Sequence, residues 1–132
     1  RADDAERAVE SGADGIVVSN HGGRTLDSAV APIDALPDIV RAVGGRTTII
    51  LDSGIRRGSD MVKAYALGAN AVLLGRATLW GTTVAGQTGA MRALTLLRRE
   101  YEQILAYVGC RNIGEITRDI LASDRPLSGH GL

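Results

Sequence analysis

Three apolar runs of strand length recur along the chain, at Gly15 to Ser19, Thr47 to Leu51 and Ala71 to Leu74. Each is continuously apolar rather than alternating, as expected of parallel strands covered on both faces. Helical periodicity fills the intervals. Asp3, Asp4, Ala5, Ala8 and Val9 predict a short amphipathic helix closed by Gly12, with no strand before it, so the chain is expected to begin inside a longer pattern. Pro37 is expected to open a second helix, with Ile39, Val40 and Val43 facing inward and Gly44-Gly45 ending it, while Pro32 to Leu36 forms a separate short turn. In the third helix Ser59 is the expected N-cap, Asp60 favours the first turn, Met61, Val62, Tyr65 and Ala66 form the buried stripe, and Gly68 is the stop. Thr88 is expected to cap a long last helix, where Met91, Leu94, Leu97, Tyr101, Ile104, Leu105 and Val108 recur at three or four residues until Gly109.

The order is therefore (α)-β-α-β-α-β-α, an α/β chain whose short loops permit only adjacent parallel strands. An open doubly wound sheet satisfies the same order. A barrel is favoured because every polar signature directly follows a strand, where barrel enzymes keep their chemistry. Beyond Arg111, the residues Pro126, Gly129 and Gly131 predict a loosely packed tail.

Composition narrows the classes. With 132 residues and 45% apolar content the chain can bury a core. Fifteen Lys and Arg balance fifteen Asp and Glu, which argues against nucleic acid as a partner and makes any anion site a local one. Cys110 is the only cysteine, so there is no internal disulfide and no cysteine-based metal cluster; it follows a helix C-terminus, where the dipole disfavours a thiolate. His21 and His130 lack the spacing of a local metal motif, and His130 is expected to be solvated. Trp80 and Tyr101 are expected to serve packing. No apolar run approaches the length of a membrane span, and no basic and apolar leader opens the chain.

Two constellations carry candidate chemistry. Ser19-Asn20-His21-Gly22-Gly23-Arg24 follows the first strand. An imidazole accepts a proton near neutrality, and the planar guanidinium of Arg24 suits a carboxylate bound through both oxygens. Together they describe removal of hydrogen beside a carboxylate. Asp27 is expected to be a turn residue outside the site. Asp52-Ser53-Gly54-Ile55-Arg56-Arg57-Gly58 follows the second strand and Gly75-Arg76 the third. Glycines admit close approach of backbone N–H groups to a phosphate and arginines add charge-assisted hydrogen bonds, so two neighbouring strand ends form a candidate phosphate site. Asp52 is expected to accept hydrogen bonds from a ligand hydroxyl or from neighbouring amides rather than to touch phosphate. Whether Arg56 or Arg57 points inward stays open.

At these residues the chain resembles the FMN-dependent α-hydroxy acid dehydrogenase and oxidase family. Ser19-Asn20-His21-Gly22-Gly23-Arg24-Thr25-Leu26-Asp27 is similar to its active-site segment. Leu51 to Asp60, Ala64-Tyr65-Ala66-Leu67-Gly68-Ala69 and Leu74-Gly75-Arg76 are similar to its flavin-phosphate region. Many members carry glycine where Ser53 stands. The resemblance runs from about Ala5 through Ile120, and in detail is most like the members that act on (S)-mandelate. It implies that residues 1–132 are the C-terminal part of an FMN-binding TIM (β/α)8 barrel, about strands 6 to 8 with their helices. It implies oxidation of a 2-hydroxy acid, (S)-mandelate or L-lactate, to a 2-oxo acid. His21 would be the base, Arg24 the carboxylate ligand, and Asp52, Ser53, Gly54, Arg56, Gly75 and Arg76 the FMN-binding residues; no metal is implied. The family's first five strands, its substrate-contacting tyrosines, the aspartate paired with the histidine and the lysine beside the flavin would precede Arg1. The implied partners are a small 2-hydroxy acid and an unnamed electron acceptor, with a homo-oligomer in the complete protein and a location in the cytoplasm or on the inner face of a membrane. Competing expectations are another phosphate-binding barrel enzyme and a non-catalytic fragment.

Overall fold

A computed structural model describes residues 1–122. Helix α1 (Ala2–Glu10) leads into strand β1 (Gly15–Val18), followed by α2 (Pro32–Val43), β2 (Thr48–Leu51), α3 (Gly58–Ala66), β3 (Ala71–Val72) and α4 (Arg76–Tyr107). The strands form one parallel sheet in the order β1-β2-β3, with Val18 beside Leu51 and Leu51 beside Val72. The expected alternation and parallel order are thus present. β3 is shorter than the predicted Ala71 to Leu74, although Leu73 N–H still donates to the Leu51 carbonyl at 2.9 Å.

Side chains of Val18, Ile49 and Leu51 share a buried cluster with Ala5 of α1, Leu36, Ile39 and Val43 of α2, and Ala64 of α3. One face of the sheet is therefore covered by α1, α2 and α3 together, whereas a doubly wound sheet places helices on both. The opposite face carries Val17, Ile50 and Ala71, side by side in register. Val17 is 54% exposed, so the expectation of strands covered on both faces fails for β1. This geometry is consistent with part of an FMN-binding barrel.

Three helix starts differ from expectation. Residues 32–43 form a single helix with Pro32 at its start and Pro37 inside it. An internal proline costs about 3 kcal/mol, but full burial of a leucine, isoleucine or valine returns about 1.5–3 kcal/mol each, and Leu36, Ile39 and Val43 all lie on the buried stripe. The α3 start is Arg57 and not Ser59. The Asp60 carboxylate accepts from the N–H groups of Arg56 and Arg57 at 3.0 and 2.9 Å, which draws the helix start toward them. Gly58 follows because its backbone lies against Tyr101 and Glu100, where a Cβ would collide with the Tyr101 nitrogen. Ala64 is also fully buried on α3, beyond the expected stripe, while Met61 and Tyr65 are half-buried.

Thr88 does not cap α4, which starts directly after Gly75. The helix is broken at Ala85 and Gly86 into limbs 76–84 and 87–107. Gly81 and Gly89 let the limbs meet backbone to backbone; a Cβ on either would strike the other's carbonyl. That return fold leaves Met91 57% exposed and buries Leu97 and Leu105 of the expected stripe. Tyr101 packs edge-on against Tyr65, with centroids 6.2 Å apart. The glycine stops at Gly45, Gly68 and Gly109 all take positive φ, as a helix C-terminus favours.

Residues 111–122 carry local structure where the sequence suggested only a loose tail. Arg111 pairs with Glu115, and 3-10 turns form at Ile113–Glu115 and Arg118–Ile120. The Cys110 thiol lies 3.4 Å from the Glu115 carbonyl. Pro126, Gly129, His130 and Gly131 lie outside the described residues.

Candidate active site

β1 ends at Val18 and delivers Ser19 to Arg24 to the sheet edge. Asn20 closes the loop by accepting from Gly23 N–H at 3.0 Å, and a 3-10 turn covers His21–Gly23. His21 stands at φ 60, with Gly22 and Gly23 at 73 and 70. A left-handed backbone costs a non-glycine residue about 1–2 kcal/mol, so neighbouring contacts must hold His21 there. Arg24 Nη2 lies 2.6 Å from His21 Nε2. A guanidinium only donates, so a hydrogen bond here takes Nε2 as its acceptor. Asp27 sits in a turn closed by Ala29 N–H to the Leu26 carbonyl.

β2 ends at Leu51 and delivers the second loop, anchored in the core by buried Ile55. Ser53 and Gly54 take φ 81 and 82. Ser53 Oγ accepts from Gly22 N–H at 2.8 Å and donates to Asp52 Oδ2 at 3.1 Å; Ser19 Oγ donates to the same carboxylate oxygen at 2.5 Å. Arg56 and Arg57 separate here. The Arg56 guanidinium lies 6.0 Å from the Trp80 ring centroid and lines the cavity below, whereas Arg57 pairs with Glu100 at 2.7 Å. Gly58 N–H and the Arg57 guanidinium together hold the Glu100 carboxyl below the usual carboxylate range. β3 delivers Gly75 and Arg76, and Arg76 Nη2 donates to the Gly22 carbonyl at 2.6 Å.

These three strand ends meet around one cavity of about 670 Å³, lined by His21, Arg24, Asp52, Ser53, Gly54, Arg56, Gly75 and Arg76. Every site residue expected from the sequence therefore borders the same space. Arg56, Arg76 and a helix start at Gly75 with no side-chain cap make a donor set that suits a phosphate, and a Cβ at Gly54 or Gly75 would meet nothing within 4 Å. The residue types and the space fit the phosphate end of a flavin nucleotide. Thr78, Leu79 and Thr82 of α4 line the same cavity and were missed. Their signal was helical spacing from Arg76, hidden by the expectation that helix began only at Thr88. Trp80, assigned to packing, also backs Arg56.

The FMN-dependent dehydrogenase family matches residues 1–123. The chain belongs to this family. It is 54% identical over 121 residues to an L-lactate oxidase of Nostoc sp., covering 92% of the chain and 33% of that protein. It is 49% identical over 123 residues to the (S)-mandelate dehydrogenase of Pseudomonas putida, covering 93% of the chain and 31% of that protein. A soluble mutant of the membrane-associated (S)-mandelate dehydrogenase from Pseudomonas putida superposes with a TM-score of 0.86 at 50% identity, covering 90% of this chain and 34% of that one. The chain thus spans about a third of the length of these curated relatives. Among the described residues no helix is long and apolar enough to cross a membrane.

Proposed function

We propose that this chain supplies the base, the carboxylate clamp and the flavin-phosphate site of an enzyme that oxidises a 2-hydroxy acid to a 2-oxo acid with FMN. The observation that carries the reading is the single cavity bordered by His21 and Arg24 at one strand end and by Arg56, Gly75 and Arg76 at the next two. Relatives named for L-lactate and (S)-mandelate support the substrate class.

His21 Nε2, the acceptor where it meets Arg24, accepts a proton from the hydroxyl-bearing centre of the substrate. Arg24 turns its fork to the substrate carboxylate and fixes that centre beside the imidazole. Arg56 and Arg76 hold the cofactor phosphate with the amides of the α4 start, and Gly54 and Gly75 keep the approach clear of side chains. Asp52, with Oδ2 taken up by two serine hydroxyls, offers Oδ1 to a cofactor hydroxyl. Ser53 borders the same cofactor space. FMN, when bound, would take up the two electrons released by the substrate together with the second proton. The face of Val17, Ile50 and Ala71, opposite the helices, is read as the interior wall of a closed (β/α)8 barrel, with β1, β2 and β3 as strands 6 to 8 and residues 1–132 as its C-terminal part. The proposed substrate is an aromatic acid such as (S)-mandelate ahead of L-lactate, and the proposed location is the cytoplasm or the inner face of a membrane.

The test is anaerobic mixing of the FMN-loaded intact protein with (S)-mandelate, L-lactate and glycolate while the flavin absorbance is followed. Bleaching by at least one of them, with the matching 2-oxo acid formed, is expected. A flavin that none of the three reduces would overturn the reading.

A further inference from the structure

The two hydroxyls beside Asp52 form a directed network. A serine hydroxyl has one proton to give and lone pairs to receive, and an ionised carboxylate only accepts. His21 N–H donates to Ser19 Oγ at 3.0 Å and Gly22 N–H donates to Ser53 Oγ at 2.8 Å. Each hydroxyl donates a hydrogen bond to the same acceptor, Asp52 Oδ2, at 2.5 Å from Ser19 and 3.1 Å from Ser53. Two consecutive amides of the histidine loop are thereby tied through two hydroxyls to one carboxylate oxygen on the neighbouring strand end. Arg76 closes the frame by donating to the Gly22 carbonyl.

The backbone at the ends of this network is unusual. Among the described residues only His21 and Ser53 combine a side chain with positive φ, at 60 and 81. Such outliers persist where surrounding contacts over-determine them, and the hydroxyl–carboxylate network is what surrounds both. Gly22, Ser53 and Gly54 also line a second cavity of about 310 Å³, so the part of the network they form borders open space on both sides.

We propose that Ser53 and Ser19 are positioning residues for His21, acting through the Gly22 and His21 amides, and that the Ser53 hydroxyl is committed to this loop and not to the flavin. The inference rests on the reading of His21 as the base. Loss of either hydroxyl leaves the phosphate groups of the site in place and lets the imidazole wander from the reacting centre. Misplacement of a catalytic group by about 1 Å lowers a rate by about a hundredfold.

The experiment uses the FMN-loaded intact protein and the variants Ser53→Gly, Ser19→Ala and their combination. Glycine at 53 keeps the left-handed backbone accessible, so folding is preserved while the hydroxyl is removed. Three quantities are read: FMN Kd, the limiting rate and half-saturation of flavin reduction by the best 2-hydroxy acid, and amide hydrogen exchange of residues 19–24 with and without FMN. Ser53→Gly is expected to leave FMN Kd and half-saturation within about threefold, to lower the limiting rate by about ten- to a hundredfold, and to speed exchange at Gly22. Ser19→Ala should do the same at His21, and the double variant should fall short of the product of the two single losses, because both act through one oxygen. An unchanged limiting rate and unchanged exchange in Ser53→Gly would overturn the positioning role, as would a loss confined to FMN Kd. Failure of the unsubstituted protein to reduce flavin with any 2-hydroxy acid would instead sink the functional reading, and the exchange data would still report whether the hydroxyls hold the loop.

Discussion

Arg76 serves both halves of the site with one guanidinium. It borders the cavity beside Arg56 and donates to the Gly22 carbonyl, so the phosphate groups and the histidine loop meet at a single side chain. Arg56 is held differently, facing the Trp80 ring, where an aromatic face tolerates a cation and keeps it aimed. Hydrogen bonds to charged groups are worth about 1.5–3 kcal/mol, and about 1.4 kcal/mol is tenfold in affinity. An Arg56→Ala, Arg76→Ala pair should therefore raise FMN Kd by about a hundredfold or more while leaving riboflavin, which lacks the phosphate, nearly unaffected, as calorimetry would register. Equal losses for both ligands would place the arginines away from the phosphate. The grouping of the candidate residues was legible because His21, Arg24, Arg56 and Arg76 each lie in the loop that follows a strand-length apolar run, and the structure brings all four to one cavity. The geometry around Ser53 was not, since nothing in sequence order brings residue 53 beside residues 19 and 22; that adjacency comes from the register of Val18 with Leu51.

At the scale of elements, the glycine stops and the parallel order could be read in advance, and the helix starts could not. A start depends on what lies outside the helix. Pro37 is tolerated because a buried stripe runs through it, and the limb 76–84 is held by the Gly81 and Gly89 contact with a segment still to come. The α3 start rests on α4 in the same way. Glu100 accepts from Gly58 N–H at 3.0 Å and from Arg57 at 2.7 Å, and both lower its affinity for a proton. A carboxyl with a depressed folded-state value stabilises the fold above its ordinary value of about 4.3, and the contribution is lost as pH falls through the folded value. Glu100→Gln in the intact protein should therefore lower Tm at pH 7, with the gap to the unsubstituted protein closing below about pH 4. Thermal unfolding across that range checks it, and a gap independent of pH would remove the charge from the explanation.

At the scale of the whole molecule, the helices α1, α2 and α3 lie on one face of the sheet and the polar loops on one end. Two successive crossovers, β1-α2-β2 and β2-α3-β3, bring residues 21, 52 and 76 to the same rim, which is how a chain with no net charge concentrates cations at a single cavity. Val17, Ile50 and Ala71 share the sheet face opposite these helices, with Val17 exposed, and this is the face proposed as a barrel's interior wall. The proposed base and the proposed phosphate site border one cavity, and a change confined to the His21 imidazole should leave the phosphate contacts of Arg56 and Arg76 in place. The most direct measurement is single-turnover reduction of bound FMN by a 2-hydroxy acid in the intact protein and in His21→Gln. Full FMN binding with the reduction rate lowered by about a hundred- to ten-thousandfold is predicted, the range a positioned acid–base group supplies. Unchanged reduction in His21→Gln, with FMN equally well bound, would contradict the assignment of the base and with it the proposed chemistry of the cavity.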